Sequence, residues 1–178
     1  MRRGLLAVTA ALSVFLSACG YHIAGRDTTL PRTIHVIAVP AIENKTSSYR
    51  IEQKLTAATI HEFLAKTNYK VVPDDNGGDA VLTGKVLTME VVPLLFQTPT
   101  GTNTTAQATA MLVTMKCEVT FTERSTDKVL YHNDNFVFRN EYELSTDVKS
   151  FFQEGDPALD RMARDFASRV VAAVTENF

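Results

Sequence analysis

The chain has 178 residues, 45% of them hydrophobic and 21% charged, a composition typical of globular domains and unlike disordered, collagen-like or coiled-coil chains. Lys and Arg number 18 against 20 Asp and Glu, for a formal charge of −2, so no basic field exists to neutralise a phosphate backbone and nucleic acid is not an expected partner. Two cysteines exclude a disulfide-rich scaffold and a four-thiolate zinc site.

At the N-terminus Arg2 and Arg3 precede an apolar run from Leu5 to Leu16. That run is too short to cross the roughly 30 Å hydrocarbon core as a stable helix, and it has the form of a secretory signal. It closes on Leu16-Ser17-Ala18-Cys19, small residues before a cysteine, the pattern of a bacterial lipobox. Residues 1–18 are therefore expected to be a lipoprotein signal peptide, Cys19 the lipid attachment residue, 19–32 a lipidated tether and 33–178 one domain. Removal of 1–18 leaves 160 residues with 16 basic and 20 acidic side chains, long enough to bury one core. Acyl chains contribute about 0.8 kcal/mol per buried methylene, so a multiply acylated Cys19 tethers the domain to a membrane without spanning it. Cys117 then has no partner in the chain. It sits in the alternation Met111, Val113, Met115, Cys117, Val119, Phe121 and is expected to be a buried, inert thiol.

Ile34, Val36, Ile37, Ala38 and Val39, ended by Pro40, read as a buried strand, and Ala41 to Ser48 as a loop. Tyr49 to Lys66 lacks Gly and Pro and predicts a helix. Its apolar positions Ile51, Leu55, Ala58, Ile60, Phe63 and Leu64 give it a broad contact surface. Tyr69 to Val72 predicts a short strand, and Asp74 to Asp79 a polar hairpin turn. From Ala80 to Val92 the apolar residues move from even to odd positions. Side chains alternate strictly along a strand, so the change of parity implies a bulge or twist. Ala106 to Thr122 alternates cleanly, Glu123 to Asp127 connects a hairpin, and Val129 to Phe138 returns with Leu130, Phe136 and Phe138 on one face. The last element is a helix capped by Asp156 with Pro157 in its first position. Leu159, Met162, Ala163, Phe166, Val170, Ala173 and Val174 line one side, with Arg161, Arg164, Asp165 and Ser168 opposite. The order predicts an α+β fold: a mixed, mostly antiparallel sheet of about four strands with two helices on one face.

Catalytic and metal motifs do not assemble. His61-Glu62 starts like a zinc-protease helix, but Ala65 occupies the second ligand position. The Asp74–Asp79 cluster lacks the alternating ligands and terminal Glu of a calcium loop. A nucleophile elbow, a glycine-rich phosphate loop and a serine–lysine signature are all missing. Asn44-Lys45-Thr46 and Asn103-Thr104-Thr105 have the form of glycosylation sequons, incidental behind a bacterial lipobox. The expectation is a non-enzymatic protein with no cofactor and no metal.

Several segments together resemble a known family. Cys19-Gly20-Tyr21-His22, Leu30-Pro31, Ile37-Ala38-Val39-Pro40, Glu43-Asn44-Lys45-Thr46, Asp79-Ala80-Val81-Leu82-Thr83-Gly84, Lys128-Val129-Leu130-Tyr131, Phe136 to Tyr142 and Arg164-Asp165-Phe166-Ala167 follow the order seen in the LPS-assembly lipoprotein family, LptE. The resemblance implies an outer-membrane lipoprotein, periplasm-facing or within a barrel lumen. Such a protein plugs and helps assemble the LptD β-barrel and assists lipopolysaccharide transport to the cell surface. An outer-membrane lipoprotein scaffold of another envelope complex, built on a similar fold, is the alternative; a periplasmic hydrolase is the third reading.

Within that resemblance, Thr98 to Thr109, preceded by Leu94, Leu95 and Phe96, is either a tip that meets acyl chains or the barrel wall, or a solvated hairpin. Phosphates on lipopolysaccharide need local cations. The family pattern places basic residues in this tip and before the last helix; here the tip offers Gln97, and Lys149 is the cation near Phe151 and Phe152. Leu95, Phe96, Gln97 and Lys149 are the contact candidates for lipopolysaccharide or the barrel, while Phe151 and Phe152 suit core or staple positions better than ligand contacts.

Overall fold

A β-branched run buried on both sides begins the domain: β1, Val36–Ala38, in which Ile37 and Ala38 are fully covered. The computed structural model describes residues 30–97, 107–143 and 157–176. After β1 come β2 (Glu43–Asn44), α1 (Ile51–Lys66), β3 (Lys70–Val72), a single 3₁₀ turn over Asp75–Gly77, β4 (Ala80–Gln97), β5 (Gln107–Glu123), β6 (Lys128–Glu143) and α2 (Pro157–Glu176). The strands form one mixed sheet in the order β3-β1-β4-β5-β6, with β2 attached to β4. β1 runs parallel to β3 and β4, and β4, β5 and β6 form the expected antiparallel meander. The fold is α+β, with six strands where the sequence pattern suggested about four. The largest omission is β2, two residues with no apolar alternation to reveal them.

The parity change in β4 is a bulge. Val86 lies opposite Cys117 and Thr88 opposite Lys116, which leaves Leu87 as the extra residue, 41% exposed. Met89 thereby returns to the buried side opposite Met115. In β6 the register steps from Phe121↔Tyr131 to Thr122↔Val129, so Leu130 is itself a bulge residue. A second irregularity sets Asp134 and Asn135 against Glu118, between Val119↔Asn133 and Cys117↔Phe136. Phe136 and Phe138 face the core as expected, and Leu130 also packs against it, although the two register shifts separate it from their alternation. The sequence showed the β4 bulge because its apolar residues changed parity; β6 mixes polar and apolar residues too evenly to show its own.

The Asp74–Asp79 segment is not a hairpin turn, because β3 and β4 are not neighbours: β1 lies between them. The segment crosses over β1 instead. A Cβ at Gly78 would stand 2.6 Å from Ala38 N, 2.7 Å from Ala80 O and 2.8 Å from Ala38 Cβ, so only glycine lets the crossing lie this close. The same turn residues serve a hairpin or a crossover, and local sequence does not distinguish them. Asp79 Oδ2 then accepts the backbone N–H groups of His35 at 2.8 Å and Val36 at 2.9 Å, fixing the start of β1. These two donors hold the Asp79 carboxyl below its ordinary pKa.

α1 buries a narrow stripe of Ile51, Leu55, Thr59 and Phe63, four residues at i+4 spacing. Thr59 is tolerated there because its hydroxyl donates to Leu55 O at 2.8 Å. The broad contact surface expected for this helix is not observed: Leu64 is 56% exposed, and Ala58 and Ile60 only flank the core. α2 buries Leu159, Met162, Ala163, Phe166, Val170 and Val174 as expected. Phe166 meets Phe136 and Phe138 edge-on, with ring centroids 6.0 and 5.9 Å apart. The helices join through Lys54–Asp160 and through Lys66 Nζ donating to Ser168 Oγ at 3.0 Å. Asp165 departs from its expected solvent-facing role, accepting from Tyr142 Oη at 3.2 Å and Asn140 Nδ2 at 3.0 Å. A helical wheel places it beside the wet residues, but the sheet reaches it from the flank. Burial and the adjacent Asp165 raise the Tyr142 pKa, so its phenol keeps its proton and donates.

Candidate functional site

The long hairpin of β4 and β5 gives the domain two poles. At one, Ala80 lies opposite Glu123, and the N-terminal segment is fastened there. Leu30 is buried, Thr33 Oγ1 donates to Glu123 Oε1 at 2.8 Å, and Arg124 N donates to Asp79 O at 2.8 Å. Glu123 also accepts from Thr126 Oγ1 at 2.6 Å; the Thr126 and Thr33 hydroxyls hold its pKa down. At the other pole Gln97 lies opposite Gln107. Eighteen residues of β4 at about 3.3 Å each separate the poles by up to roughly 55 Å.

The expected contact residues Leu95, Phe96 and Gln97 form the last three positions of β4, with backbone partners Ala110, Ala108 and Gln107 and two register shifts between Pro93 and Phe96. Ala110 is also the partner of Glu143, so β6 ends at this pole. Cys19, Lys149, Phe151, Phe152, Asp156 and residues 98–106 lie outside the described residues.

Between the poles the sheet has two unlike faces. One carries Met115, Cys117, Val119, Phe121 and Phe138 under the helices, each at most 2% exposed. Cys117 is inert there as expected, its thiol pKa pushed up to about 12 by burial. The other face is a ladder of threonines and charges. Thr83, Thr120 and His132 stand side by side, as do Thr88, Lys116 and Val137, and Glu90, Thr114 and Arg139. Lys85 Nζ pairs with Glu118 Oε1 at 3.2 Å, and Thr120 Oγ1 lies 2.9 Å from His132 Nδ1. Leu87, Val92, Leu94, Val129 and Val137 are exposed large apolar residues of these strands. Sequence reading singled out the hairpin end but passed over this face, whose signal was the Thr114, Lys116, Glu118, Thr120 alternation itself. Among the described residues no group of three His, Cys, Asp or Glu side chains is placed to hold a metal ion, and no helix is long and apolar enough to cross a membrane.

The geometry defines a class: an α+β domain in which two helices cover one side of a mixed sheet, while a long hairpin extends from it and the other sheet face is polar among the described residues. The family model of LptE, lipopolysaccharide-assembly, matches residues 34–174, and the chain belongs to that family. Among solved structures, protein XCC0632 from Xanthomonas campestris aligns with a TM-score of 0.57 at 10% identity, covering 88% of this chain and 90% of that one. The hypothetical protein CT253 from Chlamydia trachomatis gives 0.50 at 9% identity, covering 78% and 96%. The rare lipoprotein B from Shewanella oneidensis gives 0.42 at 14% identity, covering 78% and 95%. At these identities the first two likenesses show the fold alone. No curated protein sequence matches the chain.

Proposed function

We propose that this chain is a non-enzymatic outer-membrane lipoprotein, anchored through acylated Cys19, that plugs an LptD-type β-barrel, helps it assemble and assists the passage and insertion of lipopolysaccharide at the cell surface. The observation that carries this reading is the match to the LptE family across residues 34–174. The lipobox ending at Cys19 supports the anchor. The open sheet face supports the plug, since a large outer-membrane barrel has a polar, water-accessible interior, which suits a wall of threonines and paired charges better than an apolar surface. The pole formed by Leu95, Phe96 and Gln97, with Lys149 following the end of β6, is the region proposed to meet lipopolysaccharide or the barrel.

Purification of the full-length, lipidated protein from detergent-solubilised outer membranes tests the proposal. A large β-barrel protein is expected to copurify in a fixed ratio. Recovery without a barrel, or with a different envelope complex, would overturn it.

A further inference from the structure

The sheet ends in β6, a strand of sixteen residues that pairs, among the described residues, only with β5. A long edge strand presents a row of backbone donors and acceptors to any other strand and commonly leads to self-association. Among the described residues, side chains meet the Arg139 carbonyl and the Glu141 and Asn135 N–H groups of β6. Arg169 of α2 lays its guanidinium over the Phe138 ring, 4.9 Å from the centroid, and its Nη1 donates to Arg139 O at 3.3 Å. Asn140 Oδ1 accepts the backbone N–H of Glu141 at 3.0 Å, and Asn133 Oδ1 accepts that of Asn135 at 2.9 Å. Arg139 and Glu141 are two apart, so both direct their backbone groups away from β5, as Val137 does between them and the bulge. The two bulges, at Leu130 and at Asp134–Asn135, break the remainder of the edge into short pieces.

From this we infer that Arg169, with Asn140 and Asn133, is an edge guard that keeps β6 from pairing with the β6 of a second copy of this chain. The unguarded edge specifies its own partner. Two β6 strands placed antiparallel about a two-fold axis through Asn140 set Arg139 opposite Glu141 twice, both in outward-facing positions. Such a contact is self-complementary in charge and isologous in form. Arg169 blocks it by occupying the Arg139 carbonyl that the second strand needs, and by placing a side chain from another element across the edge. The guard therefore keeps the domain a single copy, with its sheet face and hairpin left for a different partner.

Sedimentation of the full-length protein in detergent tests this with R169M, which retains the aliphatic stem and removes the donor. R169M is expected to double in protein mass with rising concentration while the wild type stays monomeric. R169M/E141K, which sets like charges against each other across the two-fold axis, is expected to return to monomer. Hydrogen exchange on the wild type gives a second reading that needs no variant: the amides of Glu141 and Asn135 should exchange more slowly than that of Val137. A monomeric R169M with a native circular dichroism spectrum, a dimer unaffected by E141K, or equal exchange at Glu141, Asn135 and Val137 would each overturn the inference.

Discussion

The two faces of the β4–β5–β6 sheet share one backbone and differ in almost everything else. Toward the helices, Met115, Cys117, Val119 and Phe121 are at most 2% exposed. One residue along in each case, Thr114, Lys116, Glu118 and Thr120 face outward, with cross-strand contacts such as Lys85–Glu118 and Thr120–His132. The buried face sets stability, because apolar area removed from water is the dominant favourable term in folding. The open face adds little to stability, since partly exposed ion pairs contribute about 0–1 kcal/mol, and it is free to be shaped by whatever the domain meets. Stability thus rests on one side of these strands, and the other side is the one proposed to meet the barrel.

Substitutions on the two faces should separate these roles, with the largest loss of stability on the buried side. Phe166→Ala removes a ring that is 2% exposed and packs edge-on against Phe136 and Phe138. It should cost about 3–5 kcal/mol in urea unfolding; a loss below 1 kcal/mol would mean that α2 does not depend on this contact. Gly78→Ala forces a methyl into the backbone of Ala38 and Ala80 and should cost about 1–3 kcal/mol by the same measurement.

Asp79 gives a smaller effect with a pH signature. Its replacement by Ala leaves the His35 and Val36 N–H groups without their acceptor and should cost about 1–3 kcal/mol at pH 7. Its folded pKa lies below the ordinary value of 3.8. The stabilisation is therefore fully present above pH 3.8 and fades as the pH falls through the lower folded value. The difference between wild type and D79A should narrow in that acidic window and stay flat from pH 5 to 8; a difference that widens on acidification would contradict the assignment.

On the open face, Val92→Ser and Val137→Ser alter side chains that are 50% and 48% exposed and should leave unfolding free energies within about 0.5 kcal/mol of wild type. Their effect is expected in recovery of the barrel partner. A large stability loss would show that this face is already covered within the chain.

Much of this architecture was legible in sequence because burial imposes a period. The alternation from Met111 to Phe121 located β5 and its two faces; the change of parity in β4 located the bulge at Leu87; the 100° clustering from Leu159 to Val174 located α2. What stayed hidden depends on tertiary placement. Asp74 to Asp79 carries turn residues whether it closes a hairpin or, as here, crosses β1. Asp165 lies among solvent-facing residues until Tyr142 and Asn140 approach it from the sheet. β2 is too short to show a period. Leu94 to Phe96 drew attention as apolar residues beside a threonine-rich stretch of sequence, and the fold places them at the pole opposite the fastened N-terminal segment.

A plug enclosed by a barrel is surrounded on every side, whereas a scaffold protein touches its partner on one. Photo-crosslinking residues introduced in vivo at Thr88 on the open sheet face and at Ala57 on the exposed side of α1 separate the two cases without disturbing the core. Both positions are predicted to crosslink to the same large outer-membrane β-barrel protein. Crosslinks to it from one position only, or from neither, would contradict the account.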